Sequence, residues 1–162
     1  MAFENVYKDI AKLDIANAIK AKLETGYTTA LIGLFKQNAV NWAAFDNTEI
    51  NWADIAAGEA DYKGYASKII NAGNFSIGAN GRTYRYAQIS CNFPYDAAAP
   101  TGADSNTLTH FCIGVDDGVN GLKVWYVGKF ANPVTVQQDG DTVAFKFSAA
   151  DFVAAIGNAI QS

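Results

Sequence analysis

Residues 27–35 read Tyr-Thr-Thr-Ala-Leu-Ile-Gly-Leu-Phe. The run is apolar on both alternating faces, whereas a half-exposed strand turns polar at every second residue. It predicts a central strand covered on both sides. Upstream, residues 1–25 read as helix. Val6, Ile10 and Leu13 follow i, i+4, i+7, while Ile15, Ala18, Ile19 and Leu23 define a second face, rotated most of the way round. Asp14 lies at the change, either as N-cap of a second short helix or inside one continuous helix that is apolar on two sides. A two-sided helix must touch two things, the chain's own strands and a neighbouring subunit. Gly26 is placed to end it.

Downstream the character changes. Lys36 to Asp61 is rich in Asn, Ala and acidic residues, carries Trp42, Phe45 and Trp52, and sustains no period of 2 or 3.6. It reads as a long loop with one helical turn, and three large aromatics argue against disorder. Short strands with turn signals follow: Tyr65–Asn71, Phe75–Ile77, then the Asn80-Gly81 hairpin signal leading into Arg82–Phe93. Pro94–Ser105 reads as a second loop. Strands Thr107–Val115 and Leu122–Phe130 are joined by the turn 116–121, and Pro133–Gln137 with Thr142–Phe147 reads as a last hairpin around Gln138-Asp139-Gly140-Asp141.

These seven or eight strands predict a mainly β fold, an antiparallel β-sandwich of jelly-roll type. Ser148 and Asp151 form a capping-box-like start for a short C-terminal helix, with Phe152, Ala155, Ile156 and Ile160 on one stripe. The predicted organisation is one domain: a helical arm (1–25), a β-sandwich (26–147) and a C-terminal helix (148–162).

Half of the 162 residues are apolar and 13% aromatic, but only 17% are charged, against about 25% in an average soluble protein. A surface partly buried in an assembly accounts for this, because interface cores lose charge and gain aromatics. A neutral domain with a large core fits as well. The net charge of −4 comes with scattered Lys and Arg, so no basic stripe is offered to a nucleic acid backbone. No apolar run approaches the length of a membrane span, and Glu4 and Asp9 after Met1 are unlike a signal peptide. Synthesis in the cytoplasm is the expectation.

Signals for chemistry are sparse. His110 is the single histidine, which excludes a two-histidine metal site and leaves one imidazole base; it is read as structural. Cys91 and Cys112 show no CxxC spacing and are expected to be reduced, buried thiols. Cys112 and His110 share a strand face but stand side by side, about 6 to 7 Å apart, unlike a nucleophile and its base. The acidic residues Asp46, Glu49, Asp54, Glu59 and Asp61 match no calcium-loop spacing, and no glycine-rich phosphate cradle is present. No catalytic residue, metal or cofactor is expected. Trp42, Phe45 and Trp52 suit anchors at a protein interface, with sugar stacking as the rival reading.

The order of several segments resembles a group of small β-sandwich structural proteins in tailed bacteriophage virions. They are LIGLFKQNAV (31–40), GYA (64–66), THFCIGVDD (109–117), YVGKFANPVTV (126–136) and GDTVAF (140–145), together spanning about two thirds of the chain. The resemblance implies a virion component without catalytic activity or cofactor, acting as a head decoration or cement protein or associated with the tail. Its partners would be capsid or other virion proteins and copies of itself, a trimer first. A carbohydrate-binding module for host attachment is the alternative from another class. The helical ends depart from the pattern and are read as arms gripping a capsid lattice. Interface residues expected on this basis are Val6, Ile10, Leu13, Ile15, Ile19, Trp42, Phe45 and Trp52. Deleting residues 1–25 should abolish co-sedimentation with phage particles while circular dichroism still reports a folded β domain; normal decoration by the truncated chain would refute the arm.

Overall fold

The computed structural model describes residues 18, 21–22, 25–45, 49–71, 75–80 and 84–148. Ala18, Ala21, Lys22 and Thr25 are helical, and Gly26 N donates to Lys22 O at 2.9 Å. The rest of the expected N-terminal helix lies outside the described residues, including Val6, Ile10 and Leu13 of one apolar face and Ile15, Ile19 and Leu23 of the other. So does the expected C-terminal helix beyond Ser148, which itself ends a strand.

The described residues form seven strands: β1 (Thr29–Lys36), β2 (Lys68–Ile69), β3 (Phe75–Asn80), β4 (Tyr84–Pro94), β5 (Asn106–Asp116), β6 (Leu122–Val136) and β7 (Thr142–Ser148). They build two antiparallel sheets, ordered β2-β1-β5-β6 and β3-β4-β7. The fold is mainly β, as the turn spacing predicted.

β1 is covered on both faces. Ala30, Ile32 and Leu34 enter a main core with Leu108, Phe111, Ile113 and Val136 of their own sheet and with Ile89, Phe93, Val143 and Phe145 of the other. Phe35 enters a second core with Cys112, Ile50, Trp52 and Ile55. The cover over this second face comes from the segment expected to be a loop. It folds as a 3-10 turn (Trp42–Phe45) and an α turn (Trp52–Ile55) that runs into another 3-10 turn (Ala56–Gly58). Trp52 and Ile55, three residues apart, share one side of their turn and are both buried. The indole lies over two glycines of the sheet. A Cβ at Gly33 would sit 2.8 Å from its Cζ2, and one at Gly114 would sit 2.6 Å from its Cε3. Only residues without a side chain let a ring approach backbone this closely.

A strand expected over Tyr65–Asn71 contracts to two residues. The reason is a side chain: Tyr65 Oη accepts the Leu34 N–H at 2.9 Å, the next position on the outer edge of β1 after its pairing with β2. Beside it Ala60 N donates to Leu34 O at 2.8 Å. Asn106, buried at the start of β5, fixes the same segment. Its Oδ1 accepts from Asp61 N (2.8 Å) and Tyr62 N (3.1 Å), and its Nδ2 donates to Asp61 Oδ1 (2.9 Å). Tyr62 then reaches the other sheet, donating from Oη to Phe93 O at 3.0 Å.

Two hairpin readings change. β3 and β4 do pair, but Asn80 lies opposite Tyr84, so residues 81–83 connect them, one residue more than a two-residue Asn-Gly turn. The last hairpin does not form. Residues 122–130 and 133–136 join in the single long strand β6, which pairs with β5, while β7 pairs with β4. The Gln137–Asp141 segment therefore crosses from one sheet to the other. Its turn residues do local work all the same: Asp141 Oδ2 accepts from Gln137 N (2.9 Å) and Gln138 N (3.2 Å), and Gly140 takes φ 96°.

Gly114→Val is expected to destabilise the protein by about 1–3 kcal/mol, the usual result of overpacking a filled core. Urea denaturation reads it directly, and an unchanged midpoint would show that the indole is not seated on that glycine.

Candidate functional site

Strand β5 breaks its own alternation once. Leu108 and Phe111 both enter the main core although two residues separate them, so one residue is extra. The register locates it. On the β1 side, Phe35 faces His110 and Lys36 faces Leu108; on the β6 side, Leu108 faces Val134 and His110 faces Lys129. Thr109 is left without a ladder partner on either side, and β6 spends residues 130–133 passing it. This is a β-bulge, a device that re-aims side chains. Pro133 suits the gap because it has no N–H to offer a ladder.

The bulge opens a cleft of about 320 Å³. Gln37, Asn38, Val40 and Trp42 of the turn after β1 line one wall, Thr109 and His110 the floor, and residues 129–131 with Pro133 the other wall. Asn38 holds the turn in the left-handed region at φ 58°, which Asn tolerates better than most residues. Thr109 and His110, neighbours in sequence, both reach the cleft, and Thr109 Oγ1 lies 2.9 Å from His110 Nδ1. The half-buried Trp42 packs its ring 4.9 Å from the imidazole and meets Phe35 edge-on at 5.6 Å.

Burial, and then the nearby Lys129 ammonium, hold the His110 pKa below its ordinary value. The imidazole is neutral at pH 7. Its Nε2 has no hydrogen-bond partner among the described residues, and Lys129 has no carboxylate partner there. Among the described residues no acidic side chain lines the cleft. The site therefore offers one fixed positive charge, one neutral imidazole and two amide side chains beside an indole.

Neither cysteine is placed as a nucleophile in the cleft. Cys112 shares the strand but is fully buried in the second core, where burial and then Glu59 push its thiol far up. Cys91 is half-buried, with its thiol pushed up to about 11 by burial. The two thiols are free and stand in different sheets.

The acidic residues of the covering segment serve the chain itself. Glu59 accepts from Tyr65 Oη (2.7 Å) and Trp52 Nε1 (3.2 Å), Asp61 pairs with Lys36 (2.9 Å), Glu49 meets Lys123 (3.5 Å), and Asp54 accepts from Asn51 N (3.2 Å). Asp46 lies outside the described residues. Among the described residues no group of three or more His, Cys, Asp or Glu stands ready for a metal ion. The 116–121 turn is turn chemistry: Asp117 accepts from Val119 N and Asn120 N, both at 2.9 Å, and these bonds hold its carboxyl down at about 2.

Of the expected interface residues, Trp42 forms a wall of the cleft. Trp52 is 7% exposed and bonded to Glu59, so its ring serves the chain's own second core and presents no contact surface. The Phe45 side chain and Val6, Ile10, Leu13, Ile15 and Ile19 lie outside the described residues. His110, read as structural, lines the cleft. A signal for this was present: apolar residues fall at 108, 111, 113 and 115, out of phase by one after Leu108.

The single histidine makes the cleft easy to follow by NMR. Its folded pKa lies below the unfolded value of 6.5, so the unfolded chain binds the proton more readily. His110 should cost no stability above that pH and should progressively destabilise the fold as pH drops from 6.5 toward the folded pKa. The imidazole midpoint is expected below 6.5 and should rise in Lys129→Gln; a midpoint that stays put in that variant would remove the lysine as a cause. Comparison with protein-family models, with curated proteins and with solved structures gives no match.

Proposed function

We propose that this chain is a non-catalytic structural protein of a tailed-phage virion, a head decoration or cement protein that stabilises the shell by binding capsid subunits. In this reading the two sheets stack as a jelly-roll-like sandwich. The strand order, the shared core and the resemblance of segments 31–40, 109–117 and 126–136 to such proteins support it.

The observation that carries the reading is the outer edge of β6. This strand has 15 residues, where a typical strand has about five or six. Its beginning is covered: Asn51 bridges to Lys123, and Val124 N donates to Ile50 O at 2.9 Å. From Val127 to Val136 no described strand pairs with that edge. Those ten residues carry one charge, Lys129, and Val127, Ala131, Asn132, Pro133 and Thr135 are exposed. Monomeric proteins normally shorten or charge such an edge, because it is a template for pairing with another chain. Here the bulge and Pro133 restrict pairing to a partner shaped for them.

Many identical contacts of this kind around a symmetric shell add up to a large stabilisation from modest individual affinity. A tail or neck component would use the same chemistry at a lower copy number. Electron microscopy and quantitative mass spectrometry of the purified particle separate these: a copy number in proportion to the capsid subunits is expected, and a single ring of copies would move the protein to the tail. Val127→Lys combined with Thr135→Lys should prevent decoration with little change in the thermal midpoint, since both side chains are exposed.

A further inference from the structure

We propose that the cleft at the Thr109 bulge is a binding site for a carboxylate, received between the Lys129 ammonium and the His110 imidazole. Five features carry this. The bulge places two consecutive side chains, Thr109 and His110, on one cleft, where a regular strand would separate them to opposite faces. Thr109 Oγ1 lies 2.9 Å from His110 Nδ1. When the hydroxyl donates to Nδ1, the tautomer places the proton on Nε2 and makes that atom a donor. Lys129 is a donor with no acceptor capacity, and Gln37 and Asn38 add two amide groups. Among the described residues no acidic side chain lines the cleft to neutralise Lys129.

A donor-rich site with one full positive charge matches a ligand with one negative charge. A phosphate group brings about −1.5 to −2 at neutral pH and three acceptor oxygens. It would leave charge unmatched here while the imidazole is neutral, since Lys129 is the one fixed charge among the described lining residues and the turn residues Gln37, Asn38, Val40 and Trp42 are all uncharged. A carboxylate has one charge and two oxygens, one for Lys129 and one for Nε2. The Trp42 ring, 4.9 Å from the imidazole, limits the imidazole's movement. The cleft also opens beside the exposed stretch of β6, so a free small carboxylate and an acidic side chain on a peptide can supply the same group.

Carboxylate binding and proton binding at His110 must help one another, because an imidazolium beside a carboxylate is stabilised and an imidazolium beside Lys129 alone is not. The full chain is titrated by NMR on the His110 ring signals, with sodium acetate against sodium chloride at equal ionic strength, so that screening of Lys129 is common to both arms. Saturating acetate is expected to raise the His110 midpoint by about one pKa unit over chloride, equivalent to about tenfold tighter acetate binding once the ring is protonated. Lys129→Gln, a surface change, should weaken acetate binding about tenfold while the other amide signals stay in place.

Equal midpoints in acetate and chloride overturn the site. So does Lys129→Gln binding acetate as well as the parent chain, or inorganic phosphate or a neutral sugar perturbing His110 at lower concentration than acetate. A second arm compares acetate with a short amidated peptide holding one glutamate. Equal affinity assigns the cleft to free carboxylates, and tighter peptide binding assigns it to an acidic side chain of a protein partner.

Discussion

A strand with no polar face cannot lie at a surface, and β1 imposes that condition on everything around it. Each buried aliphatic or aromatic side chain is worth roughly 1.5–3 kcal/mol when removed from water, and β1 has such side chains on both sides. One face is met by the second sheet through Ile89, Phe93, Val143 and Phe145. The other needs a separate cover, supplied by the segment 49–58, which drops Ile50, Trp52 and Ile55 onto Phe35 and Cys112. The cover is tied at its end: Glu59 joins the Trp52 indole to the Tyr65 hydroxyl, and that hydroxyl in turn accepts from the backbone of β1. Packing and polar contacts thus hold the same three pieces together.

The cleft stands at the margin of this arrangement. Past Phe35 the chain turns through Gln37 to Val40, and Trp42 closes the second core by meeting Phe35 with one edge. What lies beyond that edge is the bulge, where Thr109 has no ladder partner and His110 is held between the indole and Lys129. Regular pairing would have sealed the spot with backbone hydrogen bonds. The proposed virion role draws on a different consequence of the same sheet, since β6 runs past the bulge as its outermost strand and leaves a nearly uncharged edge exposed.

The aromatic residues show how far sequence patterning reaches. Trp42 and Trp52 lie in the same irregular segment, with the same Ala and Asn neighbours, and nothing local separates them. One becomes a wall of a cleft and the other a buried plug over Gly33 and Gly114, residues that are distant in sequence. The out-of-phase apolar residues at Leu108 and Phe111 did mark the bulge, but an alternation break becomes a site only when the strands on both sides fail to fill it. The Gln138-Asp139-Gly140-Asp141 turn is similar: its residues make the backbone bonds that such residues make, yet they join two sheets rather than two paired strands.

Sequence alone determined the periodicities: a mainly β chain, a strand apolar on both faces at 27–35, turns where Asp, Asn and Gly gather, and no patterned cluster for metal or nucleophilic chemistry. These are local properties, fixed by backbone sterics, turn geometry and the two-residue repeat of a strand. Tertiary structure decided what covers β1, which strands pair, and that Thr109 and His110 share one cleft with Trp42 and Lys129. Each of those depends on contacts between residues far apart in the chain, where shape and space rather than residue type select the partner.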